Sequence, residues 1–302
     1  MSTPSAAAQF RSGFAALVGR PNVGKSTLLN ALVGEKLSIV TPRPQTTRHR
    51  ILGVCHLPHA QIAFVDTPGL QLQRATRALN RAMNRTAGAA LAEADLCVFV
   101  VAALEWTRGD EMVLERIAKS GLPAIAAVNK IDEISARARL LPYIAELAPR
   151  LAFREIVPVS ALKAEQIDVL RSVIAQYLPV APAMFAPGTL TDRDLAFRIA
   201  ELIRERLTLE LNQEVPYGIA VEVEKIAEDQ GQLRIDASIW VDRAGQKPIV
   251  IGAKGERLKR VGSAVRAQLN AMLARRVHLE LWVKVRKDWA DDARSLRELG
   301  VE

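Results

Sequence analysis

The chain has 302 residues, 49% of them apolar, which is enough for two ordinary domains with their own cores and excludes wholesale disorder. No apolar run approaches the ~18 residues of a membrane span, and the only two cysteines, Cys55 and Cys97, sit in apolar strand-like runs, as free thiols do in a reducing compartment. The net charge of +8 points to a polyanionic partner, RNA or an anionic membrane surface; from Thr191 onward 20 basic residues face 19 acidic ones, so any basic site there must be a local cluster.

In chain order, residues 1–9 carry neither an apolar signal core nor an Arg-rich amphipathic pattern, and a flexible tail on a cytoplasmic protein is expected. Residues 10–178 alternate apolar strand runs with amphipathic stretches. The strand runs are Phe14–Val18, Gln61–Val65, Leu96–Val101, Ala124–Val128 and Ile156–Val159. This is the pattern of a mostly parallel α/β sheet with helices on both faces. Ile51–Leu57 can pair with Gln61–Val65 across Pro58–Ala60 as a hairpin, giving one antiparallel edge. Residues 179–192, with three prolines and a glycine in Pro179–Gly188, read as a linker. Residues 193–302 then read as a small α+β domain: a helix at Asp194–Leu211, strands at Ile219–Ile226 and Leu233–Val241, a glycine-punctuated loop, a helix at Glu256–Leu273, a strand at Val277–Val285 and a last helix near Ala290–Leu299.

Four motifs fall at strand ends of the first part. Gly19, Arg20, Pro21, Asn22, Val23, Gly24, Lys25 and Ser26 fit G-x-x-x-x-G-K-[ST], between a strand and a helix that begins at Thr27. In such a loop backbone N–H groups and a helix N-terminus surround phosphates, Lys25 reaches the β- and γ-phosphates, and Ser26 places its hydroxyl on Mg²⁺. Asp66, Thr67, Pro68 and Gly69 follow the next strand; the carboxylate can hold the metal through water and Gly69 can offer an N–H to a γ-phosphate. Asn129, Lys130 and Asp132 follow another, and the Asp132 carboxylate can accept from N1–H and the 2-amino group of guanine, donors that adenine lacks. Ser160, Ala161 and Leu162 can present a backbone N–H to guanine O6. Together they specify a GTP or GDP site.

The order of these motifs resembles the translation-factor-like GTPases, and Gly19–Thr27 resembles the bacterial Era subgroup in particular. Gln45–Arg50 resembles the first switch of that family, which implies that Thr47, with Thr46 as the alternate, closes on Mg²⁺ and the γ-phosphate. Leu70 stands where many GTPases carry a water-orienting glutamine, so slow turnover is expected. Lys25, Thr47 and Asn22 are then the catalytic candidates, and Ser26, Thr47 and Asp66 the metal ligands. For Asn22 the resemblance implies a K⁺ ion held near the phosphates, against a residue that only shapes the turn.

In the second part, Gly252, Ala253, Lys254 and Gly255 form a G-x-x-G loop followed by Arg257, Lys259 and Arg260. It resembles the clamp loop of KH domains, which brings backbone N–H groups and a lysine against a single-stranded RNA chain. The family resemblance further implies action on the 3′ region of 16S rRNA during small-subunit assembly and a loose association with the inner membrane; a monomer is expected. Trp240 and Trp282 lie on the polar phase of their strands, as a cross-strand aromatic pair or a docking contact. Arg74, Arg77, Arg81 and Arg85 recur at helical spacing, as a solvated face or a phosphate-tracking stripe. Two rivals remain: an RNA-modifying or tandem-domain GTPase, and a constitutive RNA-binding module whose GTP site is only structural.

Overall fold

A computed structural model describes residues 9–43, 46–67, 78–211, 218–229, 231–287, 289–292 and 295–296. Their contacts form two compact units, and the division does not follow the chain. One unit lies within Met1–Ser38, Arg50–Gln73 and Asn84–Asp192; the other lies within Ile39–His49, Arg74–Met83 and Arg193–Glu302.

The first unit is built on a six-stranded sheet of order β2-β3-β1-β4-β5-β6. Its strands are β1 (Arg11–Val18), β2 (Ile51–Leu57), β3 (Ala60–Asp66), β4 (Leu96–Ala102), β5 (Ala124–Asn129) and β6 (Glu155–Pro158). All neighbours are parallel except β2 and β3, which form the expected hairpin edge with Ile51 opposite Asp66. Every residue of β3, β4 and β5 is buried, as strands covered on both faces must be. The helices assigned here are α1 (Lys25–Val33), α3 (Arg108–Ser120), α4 (Leu140–Leu147) and α5 (Ile167–Tyr177), while α2 (Ala78–Ala92) contributes residues to both units.

The proline-rich stretch after α5 is irregular, yet it is fastened to this unit. Buried Gln61 accepts from the backbone N–H groups of Met184 and Phe185 at 2.7 and 2.9 Å and donates to Phe185 O at 2.8 Å. Ser12 N–H donates to Pro179 O, and Val54 N–H to Leu190 O. A polar side chain inside a buried strand thus satisfies backbone groups that the prolines keep out of any ladder.

The second unit has three strands, β7 (Ile219–Asp229), β8 (Gln232–Val241) and β9 (Val277–Val285), in the order β7-β8-β9. β7 is antiparallel to β8, and β8 is parallel to β9. A parallel neighbour requires a crossover, supplied by α7 (Gln246–Ile251) and α8 (Glu256–Leu273). The helix α7 was not expected: six residues with Pro248 in the first turn leave no readable period. The observed order is therefore α-β-β-α-α-β, with α6 (Leu195–Glu210) first and Asp194 capping it through Phe197 N–H at 2.8 Å. The last helix expected near Ala290–Leu299 falls largely outside the described residues. The core packs Ile199, Ile203 and Leu207 of α6 and Val261, Val265 and Leu269 of α8 on Ile235, Ala237 and Ile239 of β8.

Trp240 and Trp282 do not face each other across the sheet. Trp240 sits opposite Lys284, whose ammonium lies 5.5 Å from the ring centroid, and donates to Glu222 at 2.9 Å; Trp282 sits opposite Ser238 and is half exposed. Sequence phase gave the face, and only the register assigns the partner.

Residues 39–49 pack in this second unit on α6. Val40 N–H donates to Glu205 at 2.9 Å, Arg204 to Thr46 O at 2.6 Å, and Arg48 to Ile219 O at 2.6 Å; His49 meets Phe197 edge-on at 5.1 Å. Beneath them Glu201 and Arg204 form a buried pair, joined at 2.7 and 2.6 Å. Burial pushes the Glu201 carboxyl up, but the Arg204 guanidinium, with His49 and Arg48 nearby, outweighs it and holds the group below its ordinary 4.5.

A depressed folded pKa contributes stability that is present above the unfolded value and lost as pH falls through the folded one. Thermal unfolding followed from pH 6 to pH 3 should therefore show a loss below about pH 4.5 that is smaller in Glu201→Gln. At pH 7 that variant should be less stable by up to ~3–5 kcal/mol, because Arg204 loses its buried counter-charge.

Candidate nucleotide and RNA sites

Because β1, β3, β4, β5 and β6 run parallel, four expected motifs leave the sheet at one edge, the carboxyl ends of the strands, where open α/β sheets bind ligands. The turn after β1 needs left-handed backbone at Asn22 (φ 65°) and Gly24 (φ 94°). Asparagine tolerates this conformation better than most residues. At position 24 a Cβ would lie 2.4 Å from Asn129 Nδ2, so only glycine fits.

Lys25, at the head of α1, is buried and donates to Gly19 O and Arg20 O, both at 2.9 Å. Burial lowers its pKa to about 8, which Asp66 and Asp110 oppose and Arg20 reinforces. Ser26 donates to Asp66 Oδ2 at 2.7 Å. Asp66 is fully buried, and Ser38, which sequence reasoning missed, donates to the same oxygen at 3.0 Å. The hydroxyl and carboxylate oxygens of Ser26 and Asp66 are hard donors of the kind Mg²⁺ selects, so this pair fits that ion. Thr67 is buried and donates to Leu17 O at 3.1 Å, while Pro68 and Gly69 lie outside the described residues, as does Leu70. Thr27 lies on α1.

At the next strand ends, the Asn129 amide donates to Val23 O and accepts from Ala161 N–H, both at 2.9 Å. Lys130 adopts φ 68°, and the chain then turns so that Asp132 accepts from Ser160 Oγ at 2.5 Å. Ser160 Oγ also accepts from Lys163 N–H at 3.0 Å, leaving Leu162 on the surface at 71% exposure. The first unit thus brings together the G-x-x-x-x-G-K-S loop, Asp66, Asn129, Asp132 and Ser160–Ala161. Thr47, expected as the third metal ligand, belongs to the second unit, where it is buried.

In the second unit Gly252 (φ 76°, ψ 173°) ends α7 in a conformation open essentially to glycine alone, and a Cβ there would lie 2.7 Å from Arg257 Cβ. Ala253–Gly255 form a 3₁₀ turn, closed by Gly255 N–H on Gly252 O at 3.2 Å, which leaves Ala253 and Lys254 exposed. Arg257 turns back to donate to Ile249 O, so it braces the loop. Beside the loop, Leu258, Gly262, Leu279 and Leu281 floor a groove of about 400 Å³ edged by Lys259 and Arg266. Arg266 and the β9 leucines were not singled out in the sequence; the alternation of Leu279 and Leu281 along the strand was the available signal. Of the arginine stripe, Arg74 and Arg77 lie outside the described residues, and Arg85 is exposed.

Comparison with known proteins finds the same two kinds of domain. Residues 14–130 match the family model described as 50S ribosome-binding GTPase, and residues 214–290 match the KH domain. GTPase Era of Marinobacter nauticus is 46% identical over 96% of this chain and 95% of its own. GTPase Era of Pseudomonas aeruginosa is 47% identical over the same shares. Two solved structures superpose with TM-scores of 0.93 at 41% identity, each covering 97% of this chain and 99% of the other: an Era variant of Aquifex aeolicus bound to GDP and AlF₄⁻, and Era in complex with MgGDPNP and nucleotides 1506–1542 of 16S ribosomal RNA. Among the described residues no helix is long and apolar enough to cross a membrane. A phosphate loop, a guanine-type base loop and a KH groove in this order, matched at such identity over nearly the whole length, place the chain in the Era family of GTPases.

Proposed function

We propose that this protein is a Mg²⁺-dependent, slowly hydrolysing GTP switch that binds single-stranded 16S rRNA near its 3′ end through the KH groove and acts in small-subunit assembly as a cytoplasmic monomer. The observation that carries the nucleotide half is the meeting of Lys25, Ser26, Asp66, Asn129 and Asp132 at one sheet edge. Gly19–Thr27 hold the phosphates, with Lys25 across the β- and γ-groups; Ser26 and Asp66 hold Mg²⁺, with Thr47 as the third ligand in the GTP state. The ion would neutralise charge that develops on the phosphates as the bond to the γ-phosphate breaks. Thr67, Pro68 and Gly69 line the γ-phosphate side, and Asn129, Lys130, Asp132, Ser160, Ala161 and Leu162 form the base pocket. Leu70 offers no group to orient water, hence the slow rate. The RNA half rests on the groove beside Gly252, Ala253, Lys254 and Gly255, where an apolar floor meets Lys259 and Arg266 at the edge.

The base pocket yields the first expectation. Asp132→Asn exchanges the acceptor pair that matches guanine for a group that can donate, so the variant should weaken GTP and favour xanthosine triphosphate. Competition binding with both nucleotides checks this; equal losses for the two would show that Asp132 does not read the base.

For the RNA half, Gly252 is the wrong position to alter, since any side chain there meets Arg257. Gly255 (φ 79°) has open space around a Cβ, and aspartate tolerates that conformation better than most residues. Crosslinking to total RNA should place the adducts at the 3′ end of 16S rRNA and lose them in Gly255→Asp, with GTP affinity kept. Lys254→Ala should lower the salt dependence of RNA binding by about one phosphate contact. Adducts confined to the large-subunit RNA would overturn the assignment of subunit.

The missing glutamine leaves charge stabilisation to another group, and we infer that K⁺ at Asn22 supplies part of it. Asn22 is exposed and left-handed in a loop that passes the phosphates. A cation there acts by electrostatics, as an arginine finger does. Turnover at constant ionic strength should rise when Na⁺ is exchanged for K⁺, and the rise should vanish in Asn22→Ala. Identical rates in the two salts would leave Asn22 as a turn former.

A further inference from the structure

We propose that Arg20 is a positioning residue of the phosphate loop, clamped by two carboxylates at the start of α3 so that the backbone carbonyls holding Lys25 stay in place. The inference rests on the nucleotide reading above and concerns a loop residue whose side chain reaches the buried Asp110.

The clamp has three parts. Arg20 Nε donates to Asp110 Oδ2 at 3.0 Å, and Arg20 Nη2 lies 2.7 Å from Glu105 Oε2, an ionic contact without the in-line angle of a hydrogen bond. Asp110 is fully buried, and the same Oδ2 accepts from Thr107 N–H at 2.9 Å and Thr107 Oγ1 at 2.7 Å. The bond from Thr107 N–H is one half of the capping box that starts α3, so the carboxylate is fixed by the helix terminus independently of the loop.

The loop end of the clamp is mechanical. The Arg20 carbonyl is one of the two oxygens that accept from Lys25 Nζ. Anchoring the Arg20 side chain to α3 therefore fixes the backbone from which the lysine is aimed. The general motif accepts any residue at this position, and a long cation in a turn would ordinarily lie in solvent. Here its side chain is only 17% exposed and is matched to a carboxylate that would otherwise keep neutral donors alone. Order held by contacts within the protein itself lowers the cost of binding.

The test is affinity for fluorescent GDP and for a non-hydrolysable GTP analogue in Arg20→Ala, Arg20→Lys, Asp110→Asn and Glu105→Gln. Lys25 serves the γ-phosphate as well as the β-phosphate, so positioning predicts a selective loss. Arg20→Ala should lose on the order of tenfold for the GTP analogue and clearly less for GDP. Arg20→Lys should recover part of it, and Asp110→Asn should lose in the same selective way. Glu105→Gln, a change at a half-exposed side chain that leaves the core intact, should show a smaller loss of the same kind and serves if Arg20→Ala does not fold. Equal losses for the two nucleotides would mean a merely structural role, and unchanged affinities would remove the clamp; either overturns the inference. Failure of the unaltered protein to bind nucleotide would instead overturn the function on which it rests.

Discussion

The nucleotide site hangs on one buried amide. Asn129 joins Val23, 106 residues earlier, to Ala161, 32 residues later, with its nitrogen on one and its oxygen on the other. Through it the loop after β1 and the loop after β6 are held at the span of a single side chain. That is why position 24 must be glycine: the amide occupies the place of its Cβ. Removing the amide would leave Val23 O and Ala161 N–H buried without a partner, at ~1–3 kcal/mol each. A side chain quoted in sequence motifs for base recognition is here equally the brace of the site.

Much of this was legible in the residues because parallel strands buried on both faces leave continuous apolar runs, and β1, β3, β4 and β5 came out within a few residues of expectation. The motifs were legible because each sits immediately after such a run. What escaped reading has no period. Residues 39–49 lie with α6 and Ile219 through side-chain-to-backbone bonds whose partners are more than 150 positions away. The clamp at Asp110 hides in an ordinary capping box, and Gln61 looks like a polar interruption of a strand until its three bonds to the proline-rich stretch are seen. Side-chain-to-backbone bonds over long separations are the part of a fold that sequence pattern does not carry.

In the second unit the missing element, α7, is explained by topology. A strand parallel to β8 can be reached only by carrying the chain over the sheet, and the short α7 begins that passage before α8 completes it. Gly252 is the corner between the two helices, and its conformation presents Ala253 and Lys254 outward beside the Leu258–Leu281 groove. The same corner thus closes the fold and exposes the surface proposed for RNA.

The strand order of the first sheet also bears on synthesis. β1 emerges first from the ribosome, yet its neighbours are β3 and β4, whose chains arrive some fifty to eighty residues later, and β6 closes the far edge last. Non-local pairing of this kind is slow, and a half-made sheet exposes unpaired edges. Asn129 can find Ala161 only after β6 has emerged, so the pocket proposed for guanine exists in no shorter nascent chain. Nucleotide captured at that moment favours the completed sheet by mass action. Cellular GTP and GDP would then serve the newborn protein as folding ligands before either serves it as a signal.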